Sequence, residues 1–226
     1  MKYKNIKKGI FLERPNRFIA YVEIDGKKEV VHVKNTGRCR ELLIPGVEVY
    51  VDKAQNPDRK TKYDLIAVYK GNALYNIDSQ APNKVFGEWV AESKYFGEID
   101  VLKPECVYKK SRFDFYIQAE GRKIYAEVKG VTLEKDGVLM FPDAPTQRGI
   151  KHLDELCECV KDGFEAYAVF VIQTENAKYF TPNRDTHPEF AQALKRAMDC
   201  GVNILALNCR VTEDTLKINT FVPVKL

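Results

Sequence analysis

The chain changes texture once, and that break limits its fold more than any single motif does. Before Ser79-Gln80-Ala81-Pro82-Asn83 the apolar residues fall in short alternating runs separated by turn residues. Arg17–Ile24 is followed by Asp25-Gly26, a pair favoured in two-residue hairpin turns, and Glu29–Val33 returns. Gly46–Val51, Tyr63–Tyr69 and Ala73–Ile77 are further strands, the last after a turn at Gly71-Asn72. Five short strands with hardly any helix predict a small Greek-key barrel of the OB type over residues 1–80. Small β-domains that bind nothing share this pattern, so alternation predicts the barrel and not its ligand.

After the break the apolar spacing becomes helical. Pro82 disfavours helix before it, Asn83 suits an N-cap, and Val85, Phe86, Trp89 and Val90 form a stripe that continues to Tyr95-Phe96 before Gly97. Strands are expected at Val107-Tyr108, Arg112–Gln118 and Lys123–Lys129. A helix over about 146–161, a buried strand Ala166–Ile172, a helix Pro188–Asp199 and a strand Val202–Leu207 follow. The order α-β-β-β-α-β-α-β predicts an α/β or α+β domain with a mixed sheet over residues 81–226.

Charge divides at the same place. The net charge of +4 hides 16 Lys/Arg against 10 Asp/Glu in residues 1–80, and 20 against 22 in residues 81–226. A basic module joined to a slightly acidic one suggests different tasks. The longest apolar run, Ala166–Ile172, is far too short to span a bilayer, and Met1-Lys2-Tyr3-Lys4 is not followed by the apolar stretch of a secretory signal. Six scattered cysteines without a CxxC, and only three histidines, argue against a disulfide framework or a zinc knuckle. A cytoplasmic location with reduced thiols and no membrane partner is the expectation.

The most chemically suggestive stretch is Ser111–Gly130. Two strands flank Glu120-Gly121; if those residues are the loop, paired positions place Asp114 directly opposite Glu127. Lys129, two residues on, shares the face of Glu127, while Ile124, Ala126 and Val128 take the other. Opposed like charges need a cation. Lys129 alone would make an ordinary ion-pair cluster; Mg²⁺ or Mn²⁺ held by Asp114 and Glu127 would make a phosphodiesterase site, polarising phosphate and acidifying bound water. Lys129 could then orient that water or stabilise transition-state charge. Asp-x(n)-Glu-x-Lys on adjacent strands after a helix is the signature of the PD-(D/E)XK, or restriction-endonuclease-like, nucleases. Glu88 on the preceding helix resembles their auxiliary acidic residue, with Glu92 as competitor; both also suit a solvated helix face.

Basic residues supply candidate phosphate contacts. The loop Met140–His152 enters the second helix; Thr146 or Asp143 can cap it, leaving Arg148, Lys151 and His152 near a helix N-terminus that attracts phosphate. The alternatives are a solvated face for Arg148 and Lys151 and a partly buried helix position for His152. Arg14, Arg17, Arg38 and Arg40 lie at strand ends and loops of the barrel beside Phe18 and Tyr21, the mix of cations and aromatics that holds nucleic-acid strands. Asn35-Thr36-Gly37 could bring backbone amides close to a phosphate or be a plain tight turn.

Several blocks together resemble the sugar fermentation stimulation protein A family over nearly the full chain. They are Arg14-Pro15-Asn16-Arg17-Phe18, His32–Arg38, Glu41–Gly46, Ser111–Phe115, Glu127–Thr132, and Phe141–Gly149 with His152-Leu153. The resemblance implies an OB-like first domain, a PD-(D/E)XK-like second domain and sequence-nonspecific DNA binding, with a role in regulating maltose metabolism. Two readings follow. In one, the barrel holds nucleic acid, with DNA the expected partner, while Asp114, Glu127 and Lys129 cut it with Mg²⁺ or Mn²⁺. In the other, a non-enzymatic DNA-binding regulator of sugar metabolism keeps the nuclease scaffold.

Overall fold

In a computed structural model that describes residues 1–35, 37–56 and 58–226, five strands close into a barrel. They are β1 (Ile6–Glu13), β2 (Ile19–Ile24), β3 (Lys27–Val33), β4 (Glu48–Lys53) and β5 (Tyr63–Lys70). β1 pairs with both β2 and β4, and β3 runs parallel to β5 to complete the circuit β1-β2-β3-β5-β4. Asp25 and Gly26, with φ of 53° and 72°, make the tight turn between β2 and β3. Phe11, Val22, Val31, Val49, Val51 and Leu65 fill the interior.

These are not the five strands read from the sequence. Lys7, Lys8 and Gly9 interrupt the alternation of β1 and hide it. Gly9 is there because the chain crosses closely: a Cβ at this position would lie 2.5 Å from Val22 Cγ1 and 2.8 Å from the Glu23 carbonyl oxygen. Conversely, Ala73–Asn76 is β6, which pairs with β5 outside the closure.

The second domain comprises α1 (Ala81–Ser93), β7 (Ile99–Tyr108), β8 (Ser111–Ala119), β9 (Arg122–Val131), β10 (Leu133–Lys135), β11 (Val138–Phe141), α2 (Gln147–Lys161), β12 (Glu165–Ile172), β13 (Tyr179–Pro182), α3 (Pro188–Asp199), β14 (Asn203–Val211) and β15 (Leu216–Phe221). Its mixed sheet runs β15-β14-β12-β9-β8-β7, with β9, β12 and β14 parallel and the outer strands antiparallel. The central strand β12 is covered on both faces, hence its continuous apolar sequence. α1 packs Phe86 and Val90 against Ile117, Ile124 and Ala126. On the other face α2 and α3 bring Leu153, Leu156 and Leu194 to Tyr125 and Phe170. The short strands β10, β11 and β13 form a separate small sheet; at three or four residues each they carry too little pattern to be foreseen. Gln80, not Asn83, is the N-cap of α1, and Asn83 lies inside its first turn. The helix ends at Lys94 with a left-handed φ of 55°, which folds Tyr95 and buried Phe96 back against Trp89.

Buried polar groups join the domains. Gln173, at the end of β12, donates from Nε2 to Asn76 Oδ1 (2.9 Å) and to the Asp78 carbonyl (3.0 Å), and its own carbonyl accepts from the Asn76 N–H. Asn76 Nδ2 reaches the Tyr3 hydroxyl at 2.9 Å, which in turn donates to Asp78. Tyr3 belongs to a segment attached to the β14–β15 turn through its N–H to the Asp214 carbonyl. Lys34 bridges Asp78 (3.2 Å) and Asp64 (3.4 Å). Asp64 is further held by both guanidinium nitrogens of Arg59 (2.9 and 2.7 Å) and by His32 (3.0 Å). Burial alone would push the Asp64 carboxyl up; Arg59, His32 and Lys34 outweigh it and hold it at about 2.

A carboxyl depressed in this way stabilises the fold above its ordinary range, and the stabilisation is lost as pH falls towards the folded value. Asp64→Asn should cost about 2 kcal/mol at neutral pH in urea denaturation. The gap from the parent protein should narrow as pH drops from about 4 towards 2. A pH-independent gap would show that Asp64 acts through packing.

Candidate metal centre and nucleic-acid interface

The hairpin of β8 and β9 turns at Glu120 and Gly121, whose φ values of 52° and 76° suit a two-residue loop. Its ladder runs from Ala119 opposite Arg122 to Phe115 opposite Ala126, the expected register. Beyond that point strict alternation fails. Phe115 packs edge-on to Phe86 of α1, whereas Phe113 packs on Tyr125 and His152 on the opposite side of the sheet. β8 therefore turns over at Asp114, beside Glu105 of β7 with its left-handed φ of 52°. The Asp114 carboxylate now reaches across to β9: Oδ2 accepts from the Val128 N–H at 2.8 Å, and Oδ1 from Asn83 Nδ2 of α1 at 2.7 Å.

Glu127 approaches from the α2 side. It is 5% exposed. Its Oε1 accepts from Lys129 Nζ and from His152 Nδ1, while its Oε2 is buried without any hydrogen-bond partner. His152 is itself buried, and its Nε2 faces Arg148 Nε at 3.3 Å. A ring protonated on Nδ1 satisfies both contacts, donating to Glu127 and accepting from Arg148. Burial and then the charge of Glu127 push the Asp114 carboxyl up, against the Val128 N–H, Lys129 and Asn83. Burial also acts upward on Glu127, but His152 and Lys129 prevail and hold its carboxyl below the usual range.

A carboxylate oxygen left unpaired in a buried site is costly, and a divalent ion between Glu127 and Asp114 would satisfy it. Among the described residues no group of three or more His, Cys, Asp or Glu side chains is arranged for an ion. Asp114 and Glu127 would offer two carboxylates, a number compatible with Mg²⁺, which keeps several waters and commonly takes one or two carboxylates plus substrate phosphate.

Other expected site residues lie elsewhere. Glu88 pairs with the Met1 ammonium, and Glu92 with Lys217 at 3.0 Å, both on the β15 side of α1. The face of α1 that meets Asp114 carries Asn83 and Gly87, where a Cβ would crowd the Phe115 ring at 3.2 Å. Asn83 is the functional neighbour that sequence reasoning missed: its position after Pro82 reads as a cap. His152 is an orienting partner of Glu127 rather than an open phosphate ligand. Arg148 and Lys151 are exposed, Lys151 lying 3.5 Å from Glu155.

On the barrel, Arg14 is spent on the fold. Its Nη1 donates to the carbonyls of Gly37 (2.8 Å) and Arg38 (2.9 Å), and its Nη2 to those of Arg17 and Asn35 (both 2.7 Å). It shapes the loop that presents Arg17, Arg38 and Arg40, which line a groove of about 370 Å³ with Asn16, Phe11 and Pro45. Phe18 stays 46% exposed with the Arg17 guanidinium 4.8 Å from its ring centre, and Lys28 covers the Tyr21 ring at 4.0 Å. Asn35 Oδ1 accepts from the Gly37 N–H at 2.7 Å, and Thr36 between them lies outside the described residues. Gly37 also borders a second cleft of about 160 Å³ between the domains, with Ser79, Gly130, Asp143 and Gln173. There Asp143 accepts from the Arg38 N–H at 3.3 Å instead of capping α2, which Thr146 does.

Comparison with known proteins places this geometry in context. The family description "SfsA N-terminal OB domain" matches residues 12–77, and "Sugar fermentation stimulation protein RE domain" matches residues 80–215. The chain is 62% identical over 226 residues to a sugar fermentation stimulation protein homolog of Desulfitobacterium hafniense strain Y51, covering 100% of this chain and 99% of the relative. It is 58% identical to the homolog of Ruminiclostridium cellulolyticum, covering 100% of both. The solved structure of Pyrococcus furiosus SfsA in complex with Ca²⁺ superposes with a TM-score of 0.90 at 29% identity, covering 100% of this chain and 98% of that one.

Arg14→Ala should lower stability by about 2–3 kcal/mol, the scale for losing charge-assisted bonds to carbonyls left unpaired. Arg14→Lys should rescue little, because an ammonium cannot reproduce the fork. Urea denaturation of both variants checks this; full rescue by lysine would reduce Arg14 to a point charge.

Proposed function

The chain belongs to the sugar fermentation stimulation protein (SfsA) family, and from its paired carboxylates we propose that it is a divalent-metal-dependent nuclease whose barrel grips DNA. The observation that carries this reading is Glu127 Oε2, buried and unpartnered beside Asp114. Asp114 and Glu127 are the residues that would hold Mg²⁺ or Mn²⁺, and the Pyrococcus relative solved with Ca²⁺ supports a divalent ion in this family. The strand order around the carboxylates also fits a PD-(D/E)XK scaffold.

A bound divalent ion supplies Lewis acidity toward a phosphate oxygen. Lys129 places a cation at the rim of the same site, where it can offset charge that builds on the phosphate. His152 holds Glu127 from behind, and Arg148 keeps that imidazole turned. Arg17, Arg38 and Arg40 contribute sequence-independent attraction to a phosphodiester backbone, and exposed Phe18 offers a base a stacking surface. The six cysteines are unpaired, and no helix among the described residues is long and apolar enough to cross a membrane.

One observation favours the second reading, a non-enzymatic DNA-binding regulator of sugar metabolism. Lys129 and His152 already occupy Glu127 Oε1, so part of the cluster is stable as an ion-pair network. Incubation with single- and double-stranded DNA in Mg²⁺ or Mn²⁺ separates the two. The parent protein should cut, and Asp114→Ala and Glu127→Ala should abolish cleavage while retaining salt-sensitive binding; Arg17→Ala and Arg38→Ala should weaken binding severalfold. Binding without cleavage across that panel would leave the regulator; undiminished cleavage by both carboxylate variants would remove the site from the chemistry.

A further inference from the structure

Asp114 sits where the ladder to β9 ends, so its side chain depends on donors outside the regular pairing. It has two. The Val128 N–H is fixed by the sheet, and the Asn83 amide is delivered by the first turn of α1. They approach different carboxylate oxygens, at 2.8 and 2.7 Å, which sets the plane of the group. Each oxygen keeps a further lone pair for an ion.

The seat of that helix turn is itself built. A Cβ at Gly130 would lie 2.8 Å from Pro82 Cγ and 2.7 Å from Gln173 Oε1. The bare glycine lets Pro82, next to Asn83, close down on β9. Gln173 is the same side chain that grips Asn76 and Asp78 where the barrel ends. Asn83 is thus held in reach of Asp114 by the close packing of its neighbour Pro82 on β9. An amide suits the place: a carboxylate this close would add a third negative charge to Asp114 and Glu127, whereas the Asn83 NH₂ donates.

We propose that Asn83 is a positioning residue for divalent-ion binding, fixing the Asp114 carboxylate in the orientation that meets the ion; the inference rests on the metal-dependent reading above. Partners of this kind behind metal ligands typically change affinity by about 10–100-fold. The test uses the full chain and Mn²⁺ alone, with free Mn²⁺ followed by electron paramagnetic resonance. Asn83→Ala should weaken Mn²⁺ binding at least about tenfold. Its circular dichroism spectrum and its DNA binding in chelator should match the parent, readouts that a general loss of structure would move. Asn83→Ser, whose hydroxyl is too short to span the gap, repeats the test should alanine perturb folding. Asp114→Ala should lose Mn²⁺ binding altogether. Equal Mn²⁺ affinity for the parent and both Asn83 variants, strong or undetectable, overturns the proposal. If Asp114→Ala alone loses the ion, the metal site stands without Asn83; if it too binds like the parent, the metal reading itself falls.

Discussion

A carboxylate buried with one oxygen saturated and the other bare is the constraint around which this molecule is arranged. Glu127 lies on β9 in the middle of the sheet, where desolvation penalises its charge. Lys129 and His152 offset that penalty from the α2 side, and Asp114, turned over within β8, brings a second negative charge from the α1 side. Two helices on opposite faces of one sheet thus converge on the same strand. The charge of Glu127 penalises that of Asp114, whereas Lys129 and His152 already offset the burial of Glu127. Under the proposed function a divalent ion would offset that repulsion, and its charge and open coordination positions would suit a phosphodiester.

The barrel is attached so that its basic groove has a fixed relation to that strand. Gln173, Asn76, Asp78 and Tyr3 form a buried network across the joint, and Arg38 meets Asp143 on the far side of Gly37. Gly37 borders both the arginine-lined groove and the interdomain cleft, so a strand held as proposed on the barrel would lie next to the second domain. The split between a basic first module and a slightly acidic second one fits the proposed function, in which one end would attract phosphate directly and the other through the ion it would hold.

Much of this was legible in the residues. The Glu120-Gly121 turn and period-two alternation set the register of β8 and β9 as far as Phe115 and Ala126, and Lys129 follows Glu127 to the same side. What the pattern could not carry was the reversal at Asp114, because both Phe113 and Phe115 are buried, each against a different core. Two apolar residues at that spacing look identical whether or not the strand turns over. Asn83 was hidden for a similar reason: a residue after proline at a helix start reads as a local cap, and its long-range bond to Asp114 has no local signature. Glu88 has the right chemistry but sits on the wrong side of its helix. Arg14 reads as a surface cation until its four carbonyl partners are seen.

The central claim, that Asp114 and Glu127 form a divalent-ion site, is tested most directly by anomalous diffraction from crystals soaked in Mn²⁺. The account predicts one strong peak between the two carboxylates, within coordination distance of Glu127 Oε2 and absent from Asp114→Ala crystals. No peak there at saturating Mn²⁺, or an equal peak in the variant, would contradict it.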